Sequence, residues 1–158
     1  MKTLFVNIIF FVIMTSFSNL TYSQSDIEKE KEALKQVDIE FSNLSMEKGM
    51  NFAFLRYAAY DGVLLRPKSY PIEGIEKIKE TLGDTDTSFT LTWSPLFTAV
   101  SESLELGYTY GIYELTIKST EANPQVHKGT YLTIWKKDKY GKWKFVLDTG
   151  NAGLGEKK

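Results

Sequence analysis

Residues 126–137 read Val-His-Lys-Gly-Thr-Tyr-Leu-Thr-Ile-Trp-Lys-Lys, and their side chains alternate with the period of a β-strand. One face carries His127, Gly129, Tyr131, Thr133 and Trp135. The other face carries Thr130, Leu132 and Ile134. Both faces are partly apolar, whereas a sheet covered on one side alone is polar on the other. The pattern predicts a strand whose outer face is covered by a second copy of the chain.

Further strands surround this stretch and are joined by short turns, which predicts an antiparallel meander. They are expected at 63–66, 89–93, 97–103, 106–118 and 142–148, with a turn at 121–124. Within 106–118, Tyr108 and Tyr110 have one parity and Tyr113 has the other. A bulge near Gly111 would return these residues to one face and bend the sheet.

Three helices are predicted before the meander. The first has an apolar stripe that includes Leu34 and Phe41, and a Ser25-x-x-Glu28 capping box marks its start. The second starts at Asn51 and ends at 61–62. The third is expected from 71 to 80, with Gly83 closing it. Helices followed by strands predict an α+β domain, in which a cone-shaped, curved antiparallel sheet packs against three N-terminal helices and encloses a cavity.

Composition limits the chemistry. The chain has 158 residues, a formal net charge of −1, one histidine and no cysteine. This excludes disulfides and thiolate metal sites, and it disfavours a multi-histidine metal site and a basic nucleic-acid-binding face. We therefore expect no cofactor, no bound metal and no nucleic-acid partner.

The first 23 residues have the pattern of a secretory signal peptide. A lysine at position 2 precedes an apolar run at 4–14, and small residues flank Tyr22 before a cut near Ser23/Gln24. The alternative is a transmembrane anchor, but about 20 apolar residues are needed to span a bilayer. The sequence predicts export to the periplasm or the medium, a mature domain at 24–152 without a membrane span, and a disordered tail at 153–158.

Several stretches in this order resemble the nuclear transport factor 2-like superfamily, which includes ketosteroid isomerases and SnoaL-like cyclases, and in particular domain-of-unknown-function family 4440. They are Tyr-Asp-Gly-Val-Leu-Leu at 60–65, Leu-Thr-Trp-Ser-Pro at 91–95, and the stretches 106–113, 129–135 and 141–148. The resemblance implies a cystatin-like roll, a pocket between sheet and helices, and a homodimer formed through the outer sheet face. It implies no particular activity.

Arg66 is the first candidate for a ligand-binding residue. In ketosteroid isomerases the general base lies directly before a proline, and here Arg66 precedes Pro67. Their oxyanion tyrosine would fall near Ser42, so the resemblance provides neither catalytic group. An arginine can bind a carboxylate through two hydrogen bonds. The alternative is a strand-end arginine that reaches solvent or pairs with Asp61 or another carboxylate.

Asp148 is the candidate acid or base, because related cyclases have an aspartate towards the end of the sheet. Burial beside aromatic rings would raise the pKa of its carboxyl and allow proton transfer near neutral pH. The alternative is that Asp148 bonds to the backbone of a turn at 149–151.

Aromatic side chains are candidates for the cavity wall and the ligand-binding surface: Trp93, Tyr108, Tyr110, Tyr131, Trp135 and Trp143. The alternative is that they form ordinary core. His127 is expected at the surface.

Three functions stay open: an exported protein that binds a small, partly apolar molecule, a cofactor-free isomerase, dehydratase or cyclase that uses Asp148, and a dimeric assembly module.

Overall fold

The computed structural model describes residues 22–84, 86–118 and 124–155. Its helices are α1 (Gln24–Lys48), α2 (Met50–Tyr57) and α3 (Ile75–Leu82). Its strands are β1 (Ala58–Leu65), β2 (Ile72–Glu73), β3 (Phe89–Val100), β4 (Leu106–Ile117), β5 (Gln125–Lys137) and β6 (Trp143–Ala152). The strands form one sheet in the order β2-β1-β6-β5-β4-β3.

The three helices pack on one side of this curved, unclosed sheet, which confirms the predicted α+β class. The expectation of a wholly antiparallel sheet is wrong, because β1 pairs in parallel with β6. The chain crosses from β1 through α3 and the long meander before it returns to lie beside β1. A parallel pair needs such a crossover, which a short turn cannot provide.

Helix α1 starts two residues earlier than the predicted capping box. Ser23 is its N-cap, and the Ser23 side chain accepts a bond from the backbone of Asp26 while the Asp26 carboxylate accepts one from the backbone of Ser23. This reciprocal pair satisfies two free helix-end donors, so Ser25 and Glu28 lie inside the helix.

The predicted end of the second helix at 61–62 is wrong, because α2 ends at Tyr57 and the following residues join β1. Gly62 lies against the backbone of Phe145 in β6, and that close approach explains the glycine. The third helix is confirmed at its end, where the Gly83 N–H bonds to the Lys79 carbonyl. Its predicted start is too early, since Ile72–Glu73 form the short edge strand β2.

The predicted strands at 89–93 and 97–103 are a single strand, β3. Its pairing with β4 shifts by one residue at Leu96, opposite Gly111. The bulge therefore lies in β3 and not in β4, which keeps one parity throughout. Pro95 is tolerated there because β3 is an edge strand.

Phe41 of α1 is at the centre of the core, and its side chain is fully buried. Its ring lies 4.9 Å from Phe54 and 4.6 Å from Trp93, measured between centroids, and it also packs on Trp135 and Phe145. These rings join α1 and α2 to the concave face of the sheet.

The predicted signal peptide lies outside the described residues except for Tyr22 and Ser23, as does most of the predicted turn at 121–124. Of the predicted tail, residues 153–155 are exposed and belong to no helix or strand, and 156–158 are not described. No helix in the described part of the chain is long and apolar enough to cross a membrane.

Candidate functional site

A cavity of about 410 Å³ lies between the concave face of the sheet and helix α2. Its lining is mostly apolar and comprises Met50, Phe54, Arg66, Pro67, Ser88, Phe89, Leu91, Trp93, Tyr113, Leu115, Ile117, Tyr131, Asp148, Thr149, Gly150 and Ala152. Pro67, Ser88, Ile117 and Ala152 are exposed and mark its mouth, whereas Trp93, Tyr131 and Asp148 are buried at its inner end. A volume of this size is typical of small-molecule sites.

Arg66 follows the last residue of β1 and contributes its guanidinium to the cavity wall. The group lies over the Phe54 ring, 5.0 Å from its centroid. Nη1 is 3.7 Å from Oδ1 of Asp148, which is an ion pair but too long for a hydrogen bond. Nη2 is buried and has no hydrogen-bond partner among the described residues. The predicted alternative of pairing with another carboxylate is therefore present, but it leaves one nitrogen unused.

Asp148 lies in the middle of β6, and its side chain is only 8% exposed. Its Oδ2 accepts a hydrogen bond of 2.8 Å from the Thr133 hydroxyl. Burial raises the pKa of the Asp148 carboxyl, and the nearby Arg66 guanidinium opposes that rise. The alternative role in a turn is wrong, because β6 continues through 149–151.

Behind the cavity wall lies a second buried carboxyl, Asp38 of α1, which sequence analysis missed. It accepts bonds from Trp93 Nε1 at 2.8 Å and from the Tyr131 hydroxyl at 2.6 Å. Burial raises the pKa of Asp38, although both hydrogen bonds act against the rise. Burial and the Asp38 charge also raise the pKa of Tyr131, so this phenol stays protonated. The network fixes the two aromatic rings at the inner end of the cavity.

Sequence could have indicated Asp38. It lies four residues after Leu34 and three before Phe41, on the same face of α1 as these buried side chains. A carboxyl at that spacing must be buried, and a buried carboxyl needs hydrogen-bond donors.

The structure brings together four of the predicted site residues, namely Arg66, Trp93, Tyr131 and Asp148. Trp135 does not line the cavity, because its side chain is fully buried in the core and its Nε1 donates to Thr109. Whether any of the four binds a ligand stays a prediction.

Tyr108 and Tyr110 lie on the opposite face of the sheet from the cavity, since they alternate with the buried Thr109 on β4. Their expected place in the cavity wall assumed a bulge inside β4, and β4 has none.

Two other positions have structural roles. Ser42 of α1, where the resemblance would put an oxyanion tyrosine, accepts a bond from the backbone N–H of Trp93 and ties α1 to β3. Trp143 is buried near the start of β6 and donates to Glu30 of α1.

His127 is exposed, as expected. The described residues contain no cluster of His, Asp or Glu that could hold a metal ion.

The outer face of the sheet has an apolar patch, here called the outer patch. It consists of Phe97, Tyr108, Tyr110, Leu132 and Ile134. The Phe97 ring stacks on Tyr110 with 5.3 Å between centroids, and Phe97, Tyr108 and Tyr110 are 40–44% exposed. A Glu114–Lys128 ion pair of 2.9 Å lies on the same face and is electrically neutral.

Comparison with known proteins supports the fold. No protein-family model and no curated protein matches the chain, so the resemblance to family 4440 is not confirmed. Solved structures do match. A nuclear transport factor 2-like protein with a cystatin-like fold from Novosphingobium aromaticivorans has a TM-score of 0.67 at 12% identity, over 90% of this chain and 94% of that one.

A ketosteroid isomerase-like protein from Erwinia carotovora atroseptica has a TM-score of 0.62 at 15% identity, over 78% of this chain and 96% of that one. The association domain of CaMKII from C. elegans has a TM-score of 0.58 at 14% identity, over 80% and 98%. At these identities the likeness establishes the nuclear transport factor 2-like fold and no activity.

Proposed function

We propose that the protein binds a small, mostly apolar molecule in the cavity and that Arg66 contacts the polar group of that molecule. One observation carries the proposal: Arg66 lines an apolar cavity, and its guanidinium makes no hydrogen bond to any described residue. A hydrogen bond to a charged group contributes about 1.5–3 kcal/mol, and a ligand oxygen at the cavity side of the guanidinium would gain that free energy.

The cavity lining supports the same class of ligand. Phe54, Leu91, Leu115 and Trp93 provide an apolar surface. The two charged residues of the lining, Arg66 and Asp148, lie together as an ion pair. Such a division between an apolar body and one polar end is typical of sites for small organic molecules.

The test is calorimetry with a panel of planar aromatic compounds that end in a carboxylate, an amide or an alcohol. A cavity-filling variant, Leu115→Trp, should abolish binding of those that bind the wild type. Thr116→Trp is its control, because Thr116 is the next residue of β4 and has the opposite parity. Arg66→Ala should weaken binding at least tenfold, which is about 1.4 kcal/mol. Arg56→Ala, at an exposed position, should have no effect.

The proposal is wrong if no panel member binds, or if Leu115→Trp binds as well as Thr116→Trp does. Mass spectrometry of molecules that copurify with the folded protein would identify the natural ligand.

A second candidate is a cofactor-free enzyme that moves a proton with Asp148. The raised pKa of this buried carboxyl supports it, since a carboxyl works best as acid or base when its pKa approaches the working pH. Tyr131 would be a neutral hydrogen-bonding group beside it. A β,γ-unsaturated ketone that fits the cavity should then be converted to its conjugated isomer, followed by absorbance. Asp148→Asn should stop the conversion, and equal rates in the two proteins would exclude this role.

A third candidate is assembly through the outer patch, which would cover it with a second copy of the chain. Exposed aromatic rings grouped on one face are typical of interfaces. Phe97→Glu should turn a dimer into a monomer in light scattering, whereas Phe52→Glu should not, because Phe52 is a 50% exposed ring on α2, away from the patch. A monomeric wild type at tens of micromolar, a common working range, would contradict the proposal.

We also propose export, on the signal-peptide pattern of the first 23 residues. The measurement is the N-terminus of the protein recovered from the periplasm or the medium. A start near Gln24 is expected, and an intact Met1 on all recovered protein would contradict it.

A further inference from the structure

We propose that the cavity ligand is an apolar carboxylic acid, and that its carboxylate binds the Arg66 guanidinium and shares one proton with Asp148, so that binding takes up a proton from water at neutral pH. The inference rests on the proposed function of ligand binding and names the class of ligand and the role of Asp148.

The geometry places the ligand beside Asp148. Nη1 of Arg66 faces Asp148 Oδ1 at 3.7 Å, and Nη2 belongs to the same planar group. Because Arg66 and Asp148 both line the cavity, a ligand oxygen that accepts a bond from the Nη1 side of the guanidinium lies next to the Asp148 carboxyl. Oδ2 of Asp148 is already bonded to Thr133, whereas Oδ1 accepts no hydrogen bond from the described residues and is the oxygen nearer the guanidinium.

The charges around Asp148 require that a carboxylate ligand binds together with a proton. In the described part of the chain, three titratable groups face Asp148: Arg66 after β1, Tyr131 on β5 and Asp38 on α1. Arg66 is the one cation among these, and Asp148 already balances its charge. A ligand carboxylate would add an uncompensated negative charge in a cavity with apolar walls, which is costly.

A proton on Asp148 removes that cost. The Asp148 hydroxyl then donates to the ligand carboxylate, while the Arg66 guanidinium also donates to it and keeps a full positive charge to pair with the ligand. Two carboxyls that share a site do not both ionise at neutral pH, and they titrate as a pair. Burial already raises the pKa of Asp148, in the direction that this step needs.

The experiment uses 2-naphthoic acid and its neutral analogue 2-naphthamide, titrated calorimetrically into the full mature domain between pH 6 and 9. Each titration is repeated in phosphate and in Tris, whose different ionisation enthalpies reveal proton uptake. The acid is ionised throughout this range, since the pKa of a carboxyl is about 4. We expect its binding to take up close to one proton per complex. Its affinity should fall by up to about tenfold per pH unit. The amide should bind without proton uptake and without pH dependence.

Asp148→Asn is the key variant. It should bind the acid without proton uptake and with an affinity that no longer depends on pH. Asp61→Asn is the matched control, because Asp61 is an exposed aspartate on β1, and it should behave as the wild type. If Asp148→Asn does not fold, the wild-type pH and buffer series decides by itself.

The outcomes separate the two proposals. Binding of the acid without proton uptake, or binding of the amide alone, overturns this inference and leaves the ligand-binding function standing. Failure of both compounds, and of the whole panel, overturns the ligand-binding function and this inference with it.

Discussion

Removing the hydroxyl of Tyr131 should destabilise the protein by an amount that grows with pH. The hydroxyl donates to Oδ2 of Asp38 at 2.6 Å, and both residues are buried. Tyr131→Phe leaves this oxygen without its donor. A hydrogen bond to a charged group contributes about 1.5–3 kcal/mol, so we expect a loss of about 2 kcal/mol where Asp38 is ionised. In a domain of this size that lowers Tm by about 8 °C.

The pH dependence of this stability loss follows from the direction in which folding shifts the pKa of Asp38. Burial raises the pKa of Asp38, and the bond from Tyr131 lowers it. A carboxyl whose pKa is raised by folding lowers the free energy of unfolding as the pH rises from its unfolded pKa through its folded pKa. Loss of the Tyr131 bond raises the folded pKa further, so the variant loses more stability than the wild type over that range. Below it Asp38 is protonated in both proteins, and the loss should shrink to about 1 kcal/mol, the value of a neutral hydrogen bond.

The assay is urea unfolding followed by tryptophan fluorescence at a series of pH values from 4 to 8. Tyr140→Phe is the control, because that ring is 74% exposed in a turn, and it should change nothing. If the free energy of unfolding differs between Tyr131→Phe and wild type by the same amount at every pH, the role assigned to Asp38 is refuted. The same holds if Tyr131→Phe lowers that free energy no more than Tyr140→Phe does.

Two other predictions concern close backbone approaches and helix ends. Gly129→Ala should lower the free energy of unfolding by about 2 kcal/mol or more, because a Cβ there would overlap the backbone carbonyl of Asn151 on the paired strand. Gly155→Ala is the control: a Cβ at this position has open space around it, and the variant should unfold like the wild type in the same urea assay. Asn51→Ala should lower the free energy of unfolding by about 1–2 kcal/mol, because the Asn51 amide donates to the carbonyl of Leu82 at the end of α3 and to that of Asp84 just after it. Asn43→Ala, at an exposed position, should leave the urea midpoint unchanged.

Local patterns were sufficient for much of the fold. The spacing of Leu34 and Phe41 predicts α1, and the alternation within 126–137 assigns the two faces of β5. Local patterns failed where the pairing of strands distant in sequence decided the structure. The segment 58–62 looks like the end of a helix, yet it becomes a strand because β6 returns beside it in parallel. Pro95 looks like a strand break, but an edge strand needs no N–H there.

The site was harder to predict than the fold. Arg66 and Asp148 could be proposed because each lies at the end of a predicted strand, although β6 in fact continues beyond Asp148. Their ion pair depends on the β1–β6 pairing, which links residues far apart in sequence. The places of Tyr108 and Tyr110 depended on whether an extra residue lies in β4 or in its neighbour. Gly111 does not distinguish a bulge in β4 from a bulge in β3, because in either case the backbone of the neighbouring strand lies close to it.

The Ser23 cap has a consequence for maturation. A protease that cuts between Ser23 and Gln24 would remove the side chain that holds the first turn of α1, and would leave a new, positively charged amino group at a helix end that disfavours cations. The trimmed chain would begin Gln-Ser-Asp-Ile-Glu, and its Ser25 and Glu28 have the spacing of a replacement cap. The precursor and the processed form would then start the same helix at different residues.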